Sequence, residues 1–250
     1  MTIDIIRCRQ DNYAFLVHDA GTGETILIDA PEAAPLLAGL EARGWRLSHV
    51  YLTHHHADHT DGLAEILASH PAEVWGAGAD AHRLPPLDHE VRPGDTLPGG
   101  AVVMDAPGHT LGHVAFHFPA LKALFSADSL MTHGCGRLFE GTADHMYETI
   151  ARFDALPGDT RILSGHDYAG ANLAFAARYA PDPAALRARQ DELPILAAKG
   201  LPTTGTTLES ERLLNPYLRC HLAEVAAAAG VPGGDPKAVF AAIRRQKDSA

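Results

Sequence analysis

The stretch Thr53-His54-His55-His56-Ala57-Asp58-His59-Thr60-Asp61-Gly62 constrains the chain more than any other. The apolar run before it predicts a strand over His49–Leu52, and the apolar spacing after it predicts a helix over Thr60–Ser69. In extended chain, residues two apart project to the same side, so the imidazoles of His54 and His56 face one way. Asp58 and His59 follow at the strand-to-helix junction. A lone histidine is most often a packed or surface residue. Four metal-capable side chains in six positions are different, because neither core packing nor helix capping asks for them. The grouping marks a transition-metal site.

The rest of the chain supplies more donors of the same kind. Of 16 histidines, ten fall between His54 and His117. Three candidate ligands each sit just past a predicted strand: His109 after Ala101–Asp105, Asp128 after Ala123–Ser126, and His166 after Arg161–Leu163. Five imidazoles and two carboxylates are enough for two ions with one carboxylate shared. Histidine with carboxylate suits Zn, Fe or Mn better than the all-oxygen sites of Ca or Mg. Asp29, at the end of the strand candidate Thr25–Asp29, has two readings. It caps the following helix, or it orients a metal ligand from behind.

Strand candidates alternate with short helices as far as residue 165, with further strands at Ile3–Cys8, Tyr13–Val17, Glu73–Trp75 and Val114–Phe118 and helices at Glu32–Arg43 and His145–Leu156. Beyond it the segments Gly170–Tyr179, Pro183–Lys199, Leu208–Leu214, His221–Ala229 and Pro236–Arg245 are mostly Ala- and Leu-rich and read as helices, with Pro183 and Pro236 in first turns. The expectation is an α/β metal-binding catalytic domain over 1–165 and a helical domain over 166–250. A net charge of −11 over 250 residues argues against nucleic acid or an anionic membrane as partner. No apolar run approaches the ~20 residues that span a bilayer, and the N-terminus lacks a basic-then-apolar leader. Cys8, Cys135 and Cys220 form no CxxC pair and read as reduced thiols. A cytoplasmic monomer is expected. Cys135 has no evident partner base apart from the metal-site histidines, and no Gly-x-Ser-x-Gly elbow is present, so neither a cysteine nor a serine nucleophile is indicated.

The motif 53–62 resembles the signature of the metallo-β-lactamase fold superfamily. More narrowly, Asp11-Asn-Tyr-Ala-Phe15, Ala106-Pro-Gly-His-Thr-Leu-Gly-His113, Cys135-Gly-Arg-Leu-Phe-Glu-Gly141, Ser164-Gly-His-Asp-Tyr168, Asn215-Pro-Tyr-Leu-Arg219 and Arg244-Arg-Gln-Lys-Asp248 are similar to glyoxalase II, the hydroxyacylglutathione hydrolases. The resemblance implies a four-layer αββα sandwich with a C-terminal helical domain. It implies that His54, His56 and His109 bind one divalent ion, that Asp58, His59 and His166 bind a second, and that Asp128 bridges them. Zinc is the expected metal, and iron or manganese suits the same donors. The implied reaction is attack by a hydroxide bridging the ions on a glutathione thioester, typically S-D-lactoylglutathione, with Asp58 and Asp128 as the catalytic carboxylates. Arg137, Tyr168, Arg244 and Lys247 would contact the glutathione part, with Phe139 where some relatives carry a tyrosine. His55 and His113 would point away from the ions. Two other readings remain open: a mononuclear iron persulfide dioxygenase of the same superfamily, and a binding protein with a retired metal site. Oxygen uptake with glutathione persulfide would favour the former, and absence of any turnover the latter.

Overall fold

Two antiparallel pairings followed by three parallel ones build the first sheet. The computed structural model of the chain describes residues 1–179 and 183–250. Contacts divide it into two units, Met1–Asp105 with Gly112–Phe125, and Ala106–Leu111 with Ser126–Ala250. In the first unit, β1 (Thr2–Cys8), β2 (Asn12–His18), β3 (Thr25–Ile28), β4 (His49–Leu52), β5 (Glu73–Ala77) and β6 (His89–Val91) lie side by side in that order. The chain crosses from β3 to β4 through helix α1 (Ala33–Arg43), and from β4 to β5 through α2 (Ala57–Thr60) and α3 (Leu63–Ser69). Parallel neighbours need such crossovers.

Alternation along the strands sorts the two faces of this sheet. Leu16, Leu27, Val50, Leu52 and Val74 bury one face against Leu36 and Leu40 of α1 and Leu63 and Ile66 of α3. Burying each of these side chains contributes roughly 1.5–3 kcal/mol. Phe15 and Tyr51 project to the other face, where Phe15 meets Phe125 edge-on at 5.1 Å and Tyr51 meets Phe116 at 5.2 Å. Those partners belong to a second sheet, whose strands β7 (Val102–Asp105), β8 (Val114–Phe118) and β9 (Ala123–Ala127) pair antiparallel.

The chain passes from the first unit to the second within β9. The second unit contains the hairpin β10 (Leu130–Met131) and β11 (Gly134–Cys135), helix α4 (Ala143–Asp154), and β12 (Arg161–Ser164), which completes the second sheet in the order β12-β9-β8-β7. Among the described residues, the α-helices that follow are α5 (Ala169–Ala176), α6 (Pro183–Ala198), α7 (Leu208–Leu214), α8 (Ala223–Ala228) and α9 (Pro236–Asp248). Asp235 caps α9 by accepting from the amides of Lys237 and Ala238 at 2.9 and 3.0 Å, with Pro236 in the first turn. No helix among the described residues is long and apolar enough to cross a membrane.

The observed elements depart from the sequence expectation in three places. The helix expected over Thr60–Ser69 is instead two pieces, 57–60 and 63–69, broken at Gly62. A Cβ there would lie 2.7 Å from the amide nitrogen of Ala33, so backbone approach dictates the glycine. Strands β6, β10 and β11 were not expected, because two or three residues carry no periodicity to read. Helix α4 starts at Ala143, two residues early, because Thr142 and His145 form a reciprocal capping box with histidine in the position usually held by Glu or Gln.

Candidate metal centre

Parallel pairing of β3 and β4 matches Ile28 with Tyr51, which brings the residues just past the two strands' carboxyl ends together, the usual ligand-binding edge of such a sheet. Asp29 is buried there in a left-handed backbone (φ 57), a conformation that Asp and Asn tolerate. Its Oδ1 accepts the Thr53 amide at 2.8 Å, and its Oδ2 accepts the Thr53 hydroxyl and the His59 Nδ1–H, each at 2.8 Å. The Thr53 hydroxyl in turn accepts from His54 Nδ1 at 3.0 Å. Both imidazoles are therefore held with Nδ1 as donor and Nε2 as the lone-pair nitrogen, the arrangement of a metal-ligating histidine. The N-cap of α1 is Glu32, so of the two readings of Asp29 the structure supports the orienting one.

The rings of His54 and His56 lie 4.7 Å apart and those of His54 and His59 4.2 Å apart, so the motif gathers its imidazoles as the spacing predicted. Asp58 Oδ2 lies 3.8 Å from His59 Nε2. Asn12 holds Asp58 by donating Nδ2–H bonds to its backbone oxygen at 2.9 Å and to Oδ2 at 3.2 Å. In the sequence, Asn12 carries no signal beyond its place in the Asp11–Phe15 stretch. His55 turns away to Asp80 at 2.8 Å, and His113 stacks on His54 at 4.8 Å. Replacing Asp29 by asparagine keeps the backbone conformation and removes the charged acceptor. The expected result is metal binding about 10- to 100-fold weaker, measured by competition with a chromophoric chelator; unchanged affinity would remove Asp29 from the orienting role.

The second unit offers the other three donors. Asp128 Oδ2 lies 3.4 Å from His109 Nε2 and 3.3 Å from His166 Nε2, so one carboxylate oxygen faces two imidazoles. Asp128 follows Ala127, whose φ of 41 turns the chain out of β9. His109 Nδ1 donates to the Arg137 carbonyl at 2.7 Å, which again leaves Nε2 as the lone-pair nitrogen. The amides of Phe139 and Glu140 return to the His109 carbonyl at 3.1 and 3.3 Å. Gly136 backs Asp128 so closely that a Cβ would fall 1.8 Å from its carbonyl oxygen. Each of His54, His56, Asp58, His59, His109, Asp128 and His166 is a member of a His/Asp group able to hold a metal ion.

Residues expected to bind substrate also lie in the second unit. Phe139 is 61% exposed, meets His109 edge-on at 5.2 Å, and carries the Arg137 guanidinium over its ring at 5.7 Å. The Tyr168 ring stacks on His166 at 4.8 Å and is 39% exposed. Lys247 donates to the Ala171 carbonyl at 3.4 Å and lies over Phe175; burial, then repulsion by Arg244, holds its ammonium pKa below the usual lysine value. Arg244 is not at the surface, being only 6% exposed. The thiols of Cys8, Cys135 and Cys220 are free and buried, and burial pushes all three pKa values up, those of Cys8 and Cys220 to about 12. None is poised as a nucleophile.

The family model described as "Metallo-beta-lactamase superfamily" matches residues 8–166, and that described as "Hydroxyacylglutathione hydrolase C-terminus" matches 167–250. A protein of Jannaschia sp. named hydroxyacylglutathione hydrolase is 51% identical over 98% of this chain and 96% of its own length. A Ruegeria pomeroyi protein of the same name is 50% identical, over 99% and 98%. The solved structure of ETHE1 from Myxococcus xanthus covers 98% of this chain and 90% of its own with a TM-score of 0.65 at 24% identity, a likeness of fold. Clusters of His and Asp donors in a metallo-β-lactamase fold point to a dinuclear metal site. The chain belongs to the hydroxyacylglutathione hydrolases of the metallo-β-lactamase superfamily.

Proposed function

We propose that the chain hydrolyses S-(2-hydroxyacyl)glutathione thioesters, with S-D-lactoylglutathione as the typical substrate, to a 2-hydroxy acid and glutathione. The observation that carries this reading is the single Asp128 oxygen set against both His109 and His166, the arrangement a shared ligand of two ions requires. His54, His56 and His109 are assigned to one ion, Asp58, His59 and His166 to the other, and Asp128 to both. Zinc is the proposed metal; iron and manganese suit the same donors. Two divalent ions bound there supply activation of water at neutral pH and a Lewis acid for the thioester carbonyl.

Asp29, Thr53 and the Arg137 carbonyl keep the ligating nitrogens aimed, so binding costs little reorganisation. Asn12 holds Asp58 in the same way. The thiolate of glutathione is a good leaving group, so no dedicated general acid is needed, and the site residues include none. Glutathione is anionic, and Arg137, Tyr168, Arg244 and Lys247 are the charged and hydroxyl donors assigned to it. Phe139 packs there without a hydroxyl to donate. The division of labour proposed is metal chemistry from 1–165 and glutathione binding from 166–250, assisted by Arg137. The protein is proposed to act as a monomer, and the buried free cysteines suit the cytoplasm.

The metal-loaded protein should release thiol from S-D-lactoylglutathione at least tenfold more efficiently, in kcat/KM, than from the lactoyl thioester of N-acetylcysteamine. Losing one charge-assisted hydrogen bond alone accounts for about that factor. Equal rates on the two thioesters would reject glutathione as the recognised group.

A further inference from the structure

Leu52 of β4 pairs with Gly76 of β5, so the chain just past β5 runs beside the motif that follows β4. There the turn Gly78–Asp80 ends on a fully buried aspartate. Asp80 Oδ2 accepts from His55 Nδ1 at 2.8 Å, and Oδ1 accepts from the Arg83 guanidinium at 2.6 Å. A carboxylate only accepts, so His55 Nδ1 carries the proton. Gly112 packs directly on Asp80, and a Cβ there would fall 2.5 Å from the Asp80 Cβ. Just past Gly112 the chain meets the motif twice. The His113 ring stacks on His54 at 4.8 Å, and the Val114 amide donates to the Thr53 carbonyl at 2.9 Å. Asp29, past β3, thus holds Thr53 and His59 from one side of β4, and Asp80, past β5, holds His55 from the other.

We propose that Asp80 is a positioning residue for the metal ion assigned to His54 and His56, acting through His55. His55 stands between those two ligands, and in extended chain its side chain projects opposite to theirs. Anchoring its ring therefore fixes the rotation of the backbone that carries both. Packing alone would not call for a carboxylate here, because burying an ion is costly and apolar residues fill such a space as well or better. What the buried ion supplies is a directed, charge-assisted bond, and it is aimed at the middle of the motif. Metal sites hold their ligand distances to about 0.2 Å, so a loosened His55 weakens binding without removing a ligand. The role rests on the reading of His54 and His56 as ligands of one ion. His55, turned away from the ions, becomes the handle by which they are held.

Asp80→Asn keeps the shape of the side chain and removes its charge. Chelator competition should show one of the two stepwise zinc dissociation constants raised about 10-fold and the other within about twofold of wild type. The visible absorption bands of the cobalt-substituted protein should shift. At saturating zinc, kcat should fall while KM for the thioester changes by less than about twofold. His55→Leu cannot donate to Asp80 and should reproduce these changes, including where Asp80→Asn does not fold. Adding Asp80→Asn to His55→Leu should weaken zinc binding no further, since both act through one bond. Wild-type zinc affinity and cobalt bands in both single variants, with Tm alone lowered, would make the Asp80–His55 pair a brace for the fold and overturn the proposal. Weakened zinc binding in variants of a protein whose wild type releases no thiol from S-D-lactoylglutathione would reject the proposed reaction and leave the positioning role standing.

Discussion

Asp128→Ala should lower kcat for thioester hydrolysis by about a thousandfold, the upper end of what removing one key electrostatic group costs an active site. The carboxylate is 5% exposed and its Oδ2 lies close to both His109 and His166. Alanine removes the carboxylate set against two imidazoles assigned to different ions, so both ions lose a ligand at once. The fold should survive, because the turn depends on the Asp128 backbone, which Gly136 backs, and not on its side chain. Circular dichroism and the melting temperature should therefore stay near wild type while bound metal and activity fall together. Asp128→Asn separates charge from shape and should be nearly as inactive. A variant that keeps more than a tenth of wild-type kcat would remove Asp128 from the shared position.

Glu211→Ala should destabilise the protein by about 3–5 kcal/mol, the cost of breaking a buried charge network by removing one partner, and lower Tm by roughly 10 °C for a chain of this size. Glu211 is fully buried in α7 and accepts from the His133 amide at 2.7 Å, Thr206 at 2.7 Å and Asn215 at 3.1 Å, with His133 Nδ1 at 3.3 Å. Arg189 of α6 then donates Nε to His133 Nε2 at 2.9 Å and a second hydrogen to the Thr203 carbonyl at 2.8 Å. The network ties α6 and α7 to the turn between β10 and β11. Burial works to raise the Glu211 pKa, and pairing with His133, with the hydrogen bonds it accepts, outweighs this and holds the carboxyl below the ordinary glutamate range. A depressed carboxylate stabilises the fold above its unfolded pKa of about 4.3 and loses that contribution as pH falls through the folded value. The difference in Tm between wild type and Glu211→Ala should thus be full at pH 7 and shrink on acidification below about pH 4. A shift under 2 °C at pH 7 would show that the network adds no net stability.

The residues most legible in the sequence are those whose proximity depends on short-range spacing. His54, His56, Asp58 and His59 fall within seven positions of the strand end at Leu52. Asp29 was ambiguous because an aspartate before a helix suits a cap equally well. Only the parallel register of β3 and β4 shows it reaching Thr53 and His59 instead. The glycine at 62 is required by backbone nearly 30 positions earlier, and the His133–Glu211 pairing joins residues 78 apart. Helical period put Arg244 beside Lys247 but gave no sign that its guanidinium is enclosed by the segment around Cys135. Burial of that kind depends on long-range packing, which no local pattern records.

Metal content and thiol release measured on the same preparation bear most directly on the central claim, a hydrolase built on two ions. The expected result is two divalent ions per chain and release of free thiol from S-D-lactoylglutathione, lost on chelation and restored by added metal. One ion per chain, or a fully loaded protein that releases no thiol, would contradict it.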